Sequence, residues 1–187
     1  MSQLRALARV RRVRVTFDDA FRSSARVFPD LERLGFPITV FVCTAFAHDG
    51  SPLTIPELEG DDPEELATMT WDDLRSVADR GVGIQSHGVS HAHLTRLSDA
   101  ELRAELADSK AELEAELHRS PDELAYPYGE HDERVRAAAR AAGYARAFAL
   151  WDAPKNDAYA LRRLDLYRRH TPVRALLMTT PLHRVAA

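Results

Sequence analysis

Short apolar, β-branched runs alternate along this chain with stretches of helical periodicity, and that alternation leaves few folds open. "ITVFVC" (residues 38–43), behind Pro37, is apolar almost throughout, the pattern of a parallel strand buried on both faces. "RVRVTF" carries Val13, Val15 and Phe17 at period two and stops at Asp18-Asp19, which reads as a first strand. "GVGIQSH", "ELAYP", "ARAFAL" and "LRRLDLYR" supply strands three to six. Between the first two strands, Phe21, Ala25, Phe28, Leu31 and Leu34 are helically spaced and Gly35 closes the stretch, with Pro29 a kink or a new start. Thr70 is placed to N-cap a helix from Trp71 to about Asp79, ended by Gly81. Ser98 and Glu101 have capping-box spacing ahead of Leu102, Leu106, Leu113 and Leu117, and Leu97 can staple onto Leu102. Residues 131–142 form a further helical stretch, and "VRALLMTTPLH" fits either strand or helix. Residues 46–69 read as a long acidic loop with Pro52, Pro56 and Pro63; loops beyond about 12–15 residues are usually functional or disordered. Repeated β-then-α units imply a parallel sheet covered by helices, either open or closed into a short barrel.

Composition narrows the function classes. With 187 residues, 45% hydrophobic and 29% charged, the chain reads as one globular domain over 1–187. A net charge of −4 gives no reason to expect nucleic acid or an anionic membrane as partner. Arg5, Arg9, Arg11, Arg12 and Arg14 are read as a solvated flank leading into strand one. Cys43 is the one cysteine, so no internal disulfide forms; without a base fixed beside it, it reads as a small buried apolar group. No signal-like segment or run of about 20 apolar residues occurs, and the expectation is a cytoplasmic protein.

Polar residues gather where strands one, three and four end: Asp18-Asp19, the His87-x-x-x-His91 pair, and Ala125-Tyr126-Pro127-Tyr128-Gly129. In parallel α/β folds that carboxyl edge is where ligands bind. Taken singly, an Asp pair is a turn or cap signal and a His pair is surface; their joint placement at separate strand ends outweighs both. Two His and one carboxylate suit zinc, manganese, cobalt or iron and leave positions open for water and substrate. Adjacent residues on a strand face opposite ways. One aspartate would therefore bind metal while the other takes a proton from the attacking water. The same donor set builds iron oxygenase sites, but on antiparallel double sheets, which the βα alternation opposes. His93 breaks the spacing and reads as a neighbour; His48, His118 and His131 read as surface residues, and Trp71 as core. Trp151 and Asp152 follow strand five and either line a sugar site or form its rim.

"VTFDDA", "SHGVSHAHL" and "LAYPYGEHD" resemble, in order, the first three motifs of the polysaccharide deacetylase family, the NodB-homology or carbohydrate esterase 4 group. The resemblance runs from about residue 13 to 150. It implies a distorted (β/α) barrel, incomplete because full barrels need at least about 200 residues. The remainder would come from nothing or from a partner subunit, so a homo-oligomer is one expectation. The implied activity is metal-dependent hydrolysis of N- or O-linked acetyl groups on an acetylated glycan, such as one containing N-acetylglucosamine. By motif position Asp18 would be the general base, Asp19, His87 and His91 would ligate one divalent ion (zinc foremost, with cobalt, manganese or nickel as alternatives), and the Tyr128 backbone N–H would help hold the oxyanion. Two positions depart from the family pattern. Ala20 stands where Gly is common, and Ala125 where many members carry an Arg that steadies the base, although one branch shares Ala-Tyr-Pro-Tyr-Gly. Arg162 or Arg163 is expected to supply that charge. The family's late acid, in a Leu-x-His context, has His183 in "TTPLHR" and His170 in "YRRHTP" as candidates. The competing expectation is a member that keeps the fold and binds a glycan or a protein without turnover.

Overall fold

Val40 and Phe41 are neighbours in one strand and neither is exposed, which requires a packed layer on each face of the sheet that holds them. The computed structural model describes residues 1–55, 58–60, 62–150, 156–164 and 171–178. Its strands are β1 (Val15–Phe17), β2 (Ile38–Val42), β3 (Gly83–Ser86), β4 (Glu123–Ala125), β5 (Arg146–Ala149) and β6 (Leu161–Arg162). They form one sheet in that order with every pairing parallel; Thr39 registers with Gly83 and Leu124 with Ala147. The helices are α1 (Ser2–Ala8), α2 (Phe28–Arg33), α3 (Pro63–Leu66), α4 (Trp71–Asp79), α5 (Asp99–Leu117), α6 (Glu133–Ala141) and α7 (Pro172–Met178).

Two apolar clusters lie between sheet and helices. Phe28, Leu31, Val40, Val42, Trp71, Leu74 and Leu113 make one; Leu102, Leu106, Leu124, Tyr126, Val135 and Tyr144 make the other. Helix α5 contributes to both, so it spans the two halves. The opposite face carries a third cluster of Phe41, Ala125 and Phe148. Phe41 and Phe148 belong to β2 and β5, three strand spacings or about 14 Å apart in a flat sheet. Their ring centroids lie 5.7 Å apart, so the sheet curls and these side chains fill the interior of a half-barrel. Below them Arg14 donates to both carboxylate oxygens of Glu123 at 2.9 and 2.8 Å. Above them Arg163, just past β6, reaches Asp18, just past β1. Helices α1 and α7, which precede β1 and follow β6, also pack together. The incomplete (β/α) barrel expected from the sequence is the fold found, and an antiparallel oxygenase scaffold is not.

Several local expectations change. The helical stretch after β1 is a 3-10 turn over Arg22–Val27 followed by α2, with Pro29 in the first turn of α2, where a missing N–H breaks no bond. The basic flank includes a helix, α1, that buries Leu7. Residues 46–69 are not a bare loop. Thr68 bridges Phe21, Pro52 bridges Ala67, and Leu53 and Met69 are buried. Helix α3 is capped by Asp62, which accepts from the Glu64 N–H. These apolar residues carry no period in sequence, so only the tertiary core reveals them. Both helix starts hold: Thr70 with Asp73 and Ser98 with Glu101 form complete capping boxes. The ambiguous tail is helical over Pro172–Met178; residues 165–168 of the sixth strand and 179–183 of the tail lie outside the described residues. Among the described residues no helix is long and apolar enough to cross a membrane.

The carboxylate of Glu123 is 5% exposed and depends on Arg14, with Arg146 Nε a more distant partner at 3.6 Å. Removing one partner of a buried pair costs about 3–5 kcal/mol, less where solvent reaches it. Arg14→Met is therefore expected to lower stability by about 2 kcal/mol in urea unfolding at pH 7, and the added Glu123→Gln to recover part of that loss. An unchanged midpoint for Arg14→Met would remove this pair from the account of the barrel interior.

Candidate metal centre

The strand ends converge at the carboxyl edge. After β1 the backbone turns sharply through Asp19 and Ala20, both with positive φ (66° and 54°). His91 (φ 59°) and Tyr128 (φ 60°) share that conformation. It costs roughly 1–2 kcal/mol per L-residue, and such residues cluster where a structure holds a functional geometry.

His87 is placed by its strand. Its N–H donates to the Val42 carbonyl at 2.8 Å, and its ring Nδ1 lies 2.8 Å from the Ala125 carbonyl oxygen. A carbonyl only accepts, so Nδ1 carries a proton, and in the neutral ring Nε2 then presents a lone pair. That Nε2 lies 3.5 Å from Asp19 Oδ1, and His91 Nε2 lies 3.3 Å from the same oxygen. Asp19 Oδ1 is buried without a hydrogen-bond partner. One ligand atom from each of Asp19, His87 and His91 falls within 4.8 Å of the others, which makes them a group able to hold a metal ion. Burial, with the nearby His87 adding to it, pushes His91 down to about 4, so its ring is neutral at pH 7, as a ligand must be. Burial and the adjacent Asp18 raise Asp19 against the pull of His87. An unprotonated nitrogen facing an orphaned carboxylate oxygen is unfavourable unless a cation joins them, so these residues fit a divalent ion.

Asp18 has a different environment. Arg163 Nη1 and Nη2 donate to Asp18 Oδ1 and Oδ2, each at 2.6 Å, and Nη1 also lies 3.3 Å from Thr16 Oγ1. The guanidinium sits over the rings of Phe41 and Phe148, 5.1 and 6.0 Å from their centroids. Ala125 is in the same apolar cluster, and its small side chain leaves that space to the arginine. Arg162 is exposed. Of the two expected arginines, Arg163 is therefore the one beside Asp18. Burial works to raise Asp18, but His87, the Arg163 fork and His91 together hold it below the usual carboxylate range.

Beyond Asp19, His87 and His91 lies a stacked set. The Tyr128 ring lies flush on His93 (3.8 Å, 7°) and edge-on to His91 (4.6 Å). His93 Nδ1 donates to Glu130 Oε2 at 3.0 Å, so His93 is a neighbour and not a member of the metal group. His48 and His118 are exposed as expected. His131 is not simply a surface residue: it is half-buried, with its ring 5.4 Å from Tyr126 and Nδ1 3.0 Å from Arg136 Nη1. Cys43 is buried, and burial with the charges of Asp19, Glu105 and Asp18 pushes its thiol well up, which makes it unreactive. His183, His170, Trp151 and Asp152 lie outside the described residues. No sequence motif marks Glu105, whose carboxylate accepts the N–H groups of Val89 and Ser90 between the two histidines. Its one signal is position: it stands three residues past Leu102 and four before Ser109, both buried on α5.

Residues 8–147 match the family described as polysaccharide deacetylase. The Bacillus subtilis (strain 168) protein YxkH, whose name places it among polysaccharide deacetylases, is 26% identical over 133 residues. That match covers 71% of this chain but 42% of YxkH, so this chain spans less than half of that relative. Among solved structures, the Streptococcus pyogenes deacetylase PplD in complex with acetate superimposes with a TM-score of 0.75 at 22% identity. It covers 96% of this chain and 77% of its own. IcaB from Ammonifex degensii gives 0.72 at 21% identity, over 89% and 82%. At these identities the structural likeness speaks for the fold.

Zinc added to chelator-treated protein is expected to bind at one equivalent by calorimetry. At a hundredfold excess over Kd it should stabilise the fold by about 2.7 kcal/mol. Asp19→Ala and His87→Ala should abolish both effects. Equal zinc-dependent stabilisation in these variants would place the ion elsewhere.

Proposed function

The chain belongs to the polysaccharide deacetylase family, and from that premise we propose that it is a metal-dependent hydrolase removing acetyl groups from a carbohydrate. The observation that carries this reading is the divergence of two neighbouring carboxylates. Asp18 is locked by a bidentate arginine, and Asp19 turns an oxygen without a hydrogen-bond partner toward two histidine nitrogens. Adjacent groups with environments pushed apart are how a site separates a base from a ligand.

Asp19, His87 and His91 would hold the divalent ion, zinc foremost. When bound, such an ion lowers the pKa of water and polarises an acyl oxygen. Asp18, kept ionised by Arg163, is suited to accept the proton of the attacking water, and the guanidinium fork fixes which oxygen lone pairs it offers. The Tyr128 backbone N–H would donate to the acyl oxygen as its charge develops, a role worth about 3–4 kcal/mol for a fixed donor. Protonated Asp18, or His183 from the tail, would return a proton to the leaving group. The favoured substrate is an acetylated glycan containing N-acetylglucosamine. The acetate held by the Streptococcus pyogenes deacetylase matches the acid such a reaction would release.

The test is acetate release from chitin oligomers, peptidoglycan, acetylated xylan and small amides by the zinc-loaded protein. Turnover of at least one is expected, with Asp18→Asn lowering kcat by about 10²–10⁴ while zinc binding persists. No acetate from any substrate would sink the proposal and favour a binding protein on the same fold.

Arg163 also sets a pH dependence. Its charge and hydrogen bonds lower Asp18 against burial, so in Arg163→Met the carboxyl rises. The acid limb of kcat/KM should then move to higher pH, and Arg163→Lys should restore part of the shift. An acid limb that stays in place in Arg163→Met would dissociate Arg163 from the base.

A further inference from the structure

The segment joining the two histidines, buried at Gly88 and exposed at Ser90, is held by a dense set of directed bonds. The Gly88 and Val89 carbonyls accept from the backbone N–H groups of Thr44 and Ala45, at 3.2 and 3.0 Å. The Gly88 N–H donates to Ser86 Oγ at 3.1 Å, and Ser86 Oγ is 2.8 Å from Ser109 Oγ on α5. Glu105, one turn earlier on α5, closes the set. Its Oε1 accepts from Val89 N at 2.9 Å, from Ser90 N at 2.7 Å and from Ser90 Oγ at 3.1 Å, and its Oε2 from Ser90 Oγ at 3.1 Å. Gly88 has φ of 86°, and a Cβ there would stand 2.9 Å from Glu105 Oε1. The positive φ favours glycine at this position, and a Cβ there would crowd the carboxylate. Immediately after these bonds the chain enters His91 with its positive φ.

We propose that Glu105 is a positioning residue that sets the backbone of residues 88–90 and thereby presents His91 to the metal; this rests on the metal reading of Asp19, His87 and His91. An ionised carboxylate is an acceptor at every lone pair, so it can gather two consecutive backbone N–H groups that no strand or helix satisfies. Helix α5 provides a rigid base, because Leu102, Leu106 and Leu113 are buried and its first turn carries a capping box. His87 needs no such support, since it continues β3 and is bonded to Val42 and Ala125. His91 has no strand to hold it, and its angle of approach comes from this segment.

Zinc titration by calorimetry, with apo-protein amide exchange at Val89 and Ser90, distinguishes placement from general stability and from charge. Glu105→Ala is expected to weaken zinc binding by about 10–100-fold and to speed exchange at both amides. Glu105→Gln keeps a carbonyl oxygen for the two N–H groups and should retain most of the affinity. Leu113→Ala, which destabilises α5 away from the segment, should leave the zinc Kd of the folded protein unchanged. Wild-type affinity in Glu105→Ala overturns the proposal, and so does equal loss in Leu113→Ala or a Glu105→Gln variant as weak as the alanine. Wild-type protein that takes up no zinc would end the metal reading separately. Exchange would then decide alone, unchanged protection in Glu105→Ala overturning the role of Glu105.

Discussion

The ion pair of Arg163 with Asp18 joins the two ends of the sheet. An open half-barrel has two free edges, and here β1 and β6 stand at opposite ends of the strand order. A guanidinium leaving one edge and a carboxylate leaving the other meet through two parallel hydrogen bonds. They do so over the apolar rings of Phe41 and Phe148. Bidentate geometry fixes orientation as well as distance, so the pair both joins the edges at the carboxyl end and aims Asp18. The curl that brings these edges together depends on the interior side chains, with Arg14 and Glu123 meeting at the other end.

The fold and the centre therefore make opposite demands. The core clusters favour burial of apolar groups, whereas the carboxyl edge keeps a carboxylate oxygen without a hydrogen-bond partner, two buried histidine rings and several left-handed residues close together. Such an arrangement persists because its neighbours over-determine it. Val42 and Ala125 hold His87, Arg163 holds Asp18, and Glu105 with Thr44 and Ala45 holds the approach to His91.

Much of this was readable from local pattern. The strands announce themselves by apolar runs ending on polar residues, and the Thr70 cap and the Ser98–Glu101 capping box mark two helix starts. Asp19, His87 and His91 stand out because each lies at or just beyond a strand end, and a parallel sheet gathers such ends on one edge. That Asp18 and Asp19 would differ was an expectation from strand alternation; both lie past β1, and the turn with positive φ at Asp19 is what sets their side chains apart. Which of Arg162 and Arg163 serves Asp18 was not legible. Arg162 ends a short edge strand and Arg163 follows it, and the answer depends on which side faces the interior of a sheet that has curled.

What the chain encodes locally is the set of donors and the β-then-α order that brings their strands to one edge. Backbone periodicity and capping act over a few residues, so they survive in sequence. What the tertiary structure alone decided is every relation across the barrel: Arg163 with Asp18, Phe41 with Phe148, and Glu105 on α5 with the segment before His91. Those contacts join residues 15 to 145 positions apart, and no local pattern records them. They exist only once the sheet has curled and α5 has docked across both halves of the core, because side-chain hydrogen bonds act over about 3 Å and chain distance says nothing about who will be that near.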